Sequence, residues 1–198
     1  MKTLAVLVCA ALSAKQIQDF VALALQDSWD VWIIATPNAR AFIDEPLLTQ
    51  QTQHPVIITQ PSEPLPSFDA AVVVPATFNT LRKWVAGITD TYVLSLLCTW
   101  IQPAYNFPLL VFPRASAELA QEPAFAPAIC WLQQHGIHVV YQPDRYPPNN
   151  AVPWSEIMQS LRASLTNSCE AGAHGHDATT QSSFMASNVL EGRGPDRK

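Results

Sequence analysis

The sequence predicts an α/β chain, a doubly wound parallel sheet of Rossmann-like and flavodoxin-like type with helices on both faces, three layers in all. Short apolar runs of strand length alternate with segments of helical periodicity. The runs are continuous rather than alternating with polar residues, as strands buried on both faces require. Each pair of runs is separated by enough residues for a crossover helix, which parallel neighbours need.

The predicted strands are residues 4–10, 31–35, 56–58, 70–74, 109–112 and 139–141. Ile17, Phe20, Val21 and Ala24 recur at helical spacing between the first two. Leu81, Trp84 and Val85 do the same after the fourth, and Ile129 and Leu132 lead into a His135-Gly136 helix stop before the sixth. Pro61, Pro64 and Pro66 mark an irregular segment before the fourth strand, and Pro143, Pro147, Pro148 and Pro153 mark another after the sixth. A last helix covers 154–165. From about Thr166 the composition turns to small and polar residues that cannot offset their ordering entropy by burial. The expected organisation is one domain over 1–165 and a disordered tail over 166–198.

Only 14% of the 198 residues are charged and 48% are apolar, a low surface charge that suggests coverage by neighbouring subunits. A net charge of −5 without a Lys or Arg cluster argues against nucleic acid or an anionic membrane as partner. No run approaches the 18 apolar residues of a membrane span. The opening resembles a short secretory signal, but 1–35 reads as a βαβ unit that needs its first strand, so a cytoplasmic location is expected. Cys9, Cys98, Cys130 and Cys169 lack CxxC spacing, and three sit in apolar runs, which fits reduced structural thiols. His174 and His176, near Cys169 and Asp177, have metal-ligand types but fall in the expected tail, so no metal site is assigned. Trp84, Trp100, Trp131 and Trp154 read as core or interface packing.

In such a sheet, ligands bind beyond the carboxyl ends of the strands, where helix N-termini present unpaired N–H groups suited to phosphate. Three loops lie there. Ser13 follows strand one, and Thr36, Pro37, Asn38 and Phe42 follow strand two; each also reads as ordinary helix capping. Neither GxGxxG nor GxxxxGK[ST] is present, so neither a dinucleotide fingerprint nor a P-loop is supported. The third loop is the most specific: Pro75-Ala76-Thr77-Phe78-Asn79-Thr80, continued by Lys83, Ala86, Gly87, Ile88 and Asp90. A proline ends the strand, small residues let a flat ring approach the backbone, and the Asn79 amide offers both donor and acceptor.

This third stretch resembles the PASANT signature of the homo-oligomeric flavin-containing cysteine decarboxylases, with Pro75, Ala76, Asn79 and Thr80 matching directly. The resemblance covers roughly 4–165. It implies FMN held between subunits of a homo-trimer or a higher homo-oligomer, with cofactor contacts at Ser13, Thr36, Asn38, Phe42, Pro75, Ala76, Thr77, Asn79 and Thr80. Loop one departs from the pattern, because the family has a glycine near Leu12. The decarboxylating residues also depart. The family histidine falls seven residues before Asp69, where this chain has Ser62, and the nearest histidine upstream is His54. The Pro-x-Met-Asn clamp appears as Pro113-Arg114-Ala115-Ser116, in which Arg114 and Ser116 are the remaining groups able to meet a carboxylate. Loss of a general base and an orienting amide disfavours cysteine decarboxylation. The expectation is an FMN-binding flavoprotein with altered or unknown redox chemistry on an unassigned small-molecule or peptide substrate, no catalytic residue being assigned. The alternatives are a decarboxylase whose histidine comes from His54 or another subunit, and a non-catalytic partner subunit.

Overall fold

The computed structural model describes residues 1–145 and 151–171. Five strands form one parallel sheet: β1 Lys2–Val8, β2 Trp29–Ala35, β3 Ala70–Thr77, β4 Leu109–Arg114 and β5 His138–Val139, in the spatial order β2-β1-β3-β4-β5. The doubly wound reading is borne out. Leu4 to Val8 and Ala70 to Val74 are fully buried, as the continuous apolar runs require of central strands.

Among the described residues seven α-helices flank the sheet: α1 Ile17–Gln26, α2 Glu45–Thr52, α3 Phe78–Val85, α4 Tyr92–Trp100, α5 Ala117–Ala120, α6 Phe125–Gln134 and α7 Trp154–Ala171. Strand alternation divides the core in two. Leu4, Val6, Val72, Val74, Leu110 and Phe112 point to the face covered by α1 and α7, through Ile17, Phe20, Val21, Ile157 and Leu161. Ala5, Leu7, Ala71, Val73, Leu109 and Val111 point to the other, covered by α3, α4 and α6 through Leu81, Trp84, Leu94, Leu97 and Leu132. Each fully buried Leu, Ile or Phe contributes about 1.5–3 kcal/mol, so both faces are needed to hold the sheet. The chain leaves β1 over the first face and β3 over the second. That reversal opens the crevice at the carboxyl ends of β1 and β3.

Several elements depart from the sequence reading. Residues 56–58 form no strand but a single bridge, Ile34 to Ile57, with Ala35 N–H donating to the Ile57 carbonyl at 2.8 Å and Ile57 N–H to that of Ile33 at 2.9 Å. Pro55 and Pro61 bracket the segment and cannot donate, so the ladder does not propagate. The first helix opens as a 3-10 turn, Leu12–Gln16, before α1. Pro75 likewise lacks an N–H, and the β3–β4 register shifts between Val73 and Ala76. α7 runs to Ala171, past the expected boundary at 165, and 172–198 with His174 and His176 lie outside the described residues. Cys9 and Cys98 pack as small hydrophobes, whereas Cys130 sits on the exposed side of α6.

Candidate functional site

The carboxyl ends of β1, β2 and β3 bring the predicted loops together. Thr36 N–H donates to the Val8 carbonyl at 2.9 Å, and Cys9 N–H to the Pro75 carbonyl at 3.2 Å, so the three loops start from one hydrogen-bonded platform. Both loop turns begin without a side-chain cap. Ala11 stands before Leu12–Gln16 and has no polar side chain, and Thr36 stands before the turn Pro37–Ala41 with its hydroxyl not accepting from it. The first N–H groups of such turns have no partner within the turn, apart from Pro37, which has none to offer. Within the first turn the Ser13 hydroxyl is buried with no hydrogen-bond partner among the described residues. A buried hydroxyl left unpaired costs roughly 1–3 kcal/mol.

Beside this edge lies a hollow of about 860 Å³ lined by Lys15, Arg40, Phe42 and Glu45 among others. Arg40 Nε pairs with Glu45 Oε1 at 2.7 Å. Asn38 is exposed on its turn, and Phe42 is half-buried against the α1 side of the core.

The β3 loop divides into two parts. Pro75 and Ala76 are buried at the register shift, and Asn79 is exposed on the first turn of α3. Thr77 caps α3, accepting from Thr80 N–H, and the two hydroxyls are 2.9 Å apart. Thr80 is 7% exposed and also hydrogen-bonds the buried Cys9 thiol. Burial, outweighing that contact and one from the Thr77 backbone, pushes the Cys9 thiol up from its ordinary pKa. The edge therefore brings Ser13, Thr36, Asn38, Pro75, Ala76 and Asn79 together, while Thr77 and Thr80 face each other. Cys9, beneath them, was read only as a packing residue. Its position directly after the first strand was the signal that it underlies the crevice.

The residues weighed as catalytic stand apart. His54 Nε2 is 2.7 Å from Asp30 Oδ1, its ring stacks on Trp32 at 4.0 Å, and Trp32 Nε1 donates to Asp30 at 3.1 Å. Asp30 lies near the amino end of β2, about 16 Å along the strand from Ala35 at the other end. Ser62 is exposed in the proline-rich segment, and a hollow of about 580 Å³ before β3 and β4 is lined by Phe68, Trp100 and Phe107 without it. Ser116 caps α5, accepting from Leu119 N–H at 3.3 Å, and its hydrogen bond holds the Glu118 carboxyl below the usual range. Arg114 ends β4 directly opposite Thr77, half-buried, and desolvation lowers its pKa. Among the described residues no group of His, Cys, Asp and Glu is arranged to hold a metal ion, and no helix is long and apolar enough to cross a membrane.

A family model described as Flavoprotein matches residues 1–166. Among solved structures the chain is similar to the FMN-dependent cysteine decarboxylase SpaF, at TM-score 0.71 and 19% identity over 85% of this chain and 98% of that one. It is similar to the cypemycin decarboxylase CypD at 0.66 and 17%, covering 86% and 96%. The FMN binding protein AtHal3 gives 0.65 and 18%, covering 82% and 95%. At these identities the structures share a fold with this chain. No curated protein matches it.

Proposed function

The chain belongs to the Flavoprotein family as a divergent member, and on that premise we propose that it binds FMN at the carboxyl ends of β1 and β3 and uses it for redox chemistry other than cysteine decarboxylation. The observation that carries this reading is the Ser13 hydroxyl, buried without a partner among the described residues, in a turn that follows β1 and has no side-chain cap. A phosphate oxygen satisfies that donor with a charge-assisted hydrogen bond. Bound FMN supplies reversible acceptance of two electrons.

The chain's own residues then divide by task. Ser13, Thr36 and Asn38 hold the phosphate. Phe42 closes the second turn against the core. By resemblance Pro75 and Ala76 stand beside the ring, and exposed Asn79 offers its amide to the ring edge. Thr77 and Thr80, bonded to each other and to Cys9, keep this loop rigid. Decarboxylation of a cysteine needs a base near the thiol and an amide on the carboxylate. His54 is tied to Asp30 at the amino end of β2, Ser62 has no pKa near neutrality, and the Ser116 hydroxyl serves α5. The low charge of the surface supports a homo-oligomer, for which a trimer is proposed by resemblance, acting in the cytoplasm.

Absorbance and mass spectrometry of the purified chain test the cofactor. A flavin band and the mass of FMN are expected; colourless protein that ignores added FMN overturns the reading. Carbon dioxide release from cysteine-ending peptides tests the chemistry, and rapid turnover would restore decarboxylation.

A further inference from the structure

The sheet that forms the crevice ends in a cation. Leu110 and Phe112 point to the α1 face, and alternation places Arg114 in the same row, one step past Phe112 at the strand end. The turn Leu12–Gln16 leans over β3 from that same face, its Ala14 buried in the same core as Phe112. Arg114 and Ser13 therefore flank β3 from one side, and Arg114 is in register with Thr77, about 4.8 Å away between strands. It is half-buried, with part of its hydration removed, and it keeps its charge at every working pH. Lys15 and Arg40 lie instead by the β1 and β2 loops, on the hollow beside Phe42. Position 114 is thus a separate positive centre, on the β3 and β4 side of the crevice, where the proposed reading lays the ring.

We propose that Arg114 sets the reduction potential of the flavin held at this edge. This rests on the FMN-binding reading above. A flavin that takes up two electrons and one proton gains one unit of negative charge, and a nearby guanidinium, positive at every working pH, favours that product over the oxidised form. It also favours the sulfite adduct of oxidised flavin, which leaves negative charge on the ring and needs no reductant. Arg114 here is an electrostatic residue and takes no proton.

The test uses the full chain loaded with FMN. Sulfite is titrated against the loss of the oxidised flavin band, and the midpoint potential is measured against a reference dye. In Arg114→Gln the sulfite Kd rises about tenfold, and the potential falls by the equivalent for a two-electron couple, about 30 mV. Arg114→Lys keeps the charge and stays within about threefold of the native chain by the same Coulomb argument. Arg114→Met, closer in shape, replaces the glutamine variant if that one releases FMN. Bound FMN with sulfite affinity and potential unchanged in the neutral variant overturns this inference and leaves the FMN reading intact. A native chain that holds no FMN overturns the FMN reading, and this one with it.

Discussion

Ser13→Ala removes the hydroxyl that is buried without a partner among the described residues in the turn after β1, and its two effects have opposite signs. In the flavin-free chain the hydroxyl costs roughly 1–3 kcal/mol of unmet desolvation, so its removal stabilises the fold by about 1 kcal/mol after allowance for the small void. For a chain of this size that raises Tm by about 2–4 °C. In the FMN complex the same hydroxyl donates to a charged phosphate oxygen, a bond of about 1.5–3 kcal/mol. Its loss weakens Kd by about 10- to 150-fold. The assay is thermal unfolding with and without FMN, together with titration by quenching of flavin fluorescence. The variant is expected to be the more stable chain alone and the less stabilised chain with FMN. A variant less stable alone, with FMN affinity unchanged, refutes the reasoning, because Ser13 would then be an ordinary structural hydroxyl.

Asn79→Ala is expected to weaken FMN binding about tenfold with stability changed by less than about 0.5 kcal/mol, since its side chain is exposed on the edge; equilibrium dialysis beside urea unfolding checks both halves. Thr80→Ala has the reverse profile, a loss of about 1–2 kcal/mol, because it leaves the Thr77 hydroxyl and the buried Cys9 thiol short of a partner; denaturant midpoints measure it. The raised pKa of Cys9 makes the folded state hold its proton longer than the unfolded one. Its contribution is whole below the unfolded thiol pKa of about 8.5 and is lost as pH rises from there through the folded value. Cys9→Ala should therefore flatten the alkaline fall in stability, and equal slopes for both chains between about pH 8.5 and 10.5 would count against it. His54→Ala is expected to leave FMN affinity unchanged, because the ring it loses is clasped to Asp30 at the far end of β2; a lost flavin signal would contradict that placement.

The central sheet was legible because its strands are buried on both faces, and a residue such as Val6 or Val72 has no other place to go. Edge elements were not. Residues 56–58 carry the same apolar types as a strand, but whether they pair depends on the flanking prolines and on what lies outside β2, and no periodicity encodes the latter. The crevice was legible as a set of loops, since Ser13, Thr36 and Asn79 come within five residues of a strand end and Pro75 lies near the end of β3. The roles within it were less so. Thr80, Leu81 and Trp84 share the buried stripe of α3, and Thr77 stands three residues before Thr80 in capping position. Spacing alone could have assigned this pair to the helix. Arg114 was visible as a charge but its half-buried seat opposite Thr77 needed the register of β3 and β4.

Ile57 gives β2 one bridge and no more, and Pro55 and Pro61 stop it from becoming a ladder. At the opposite margin β5 is two residues long. The bridge at the carboxyl end of β2 and the shortness of β5 both reduce the edge that a strand of another molecule could pair with. Copies that associate have helix faces and loops to do it with.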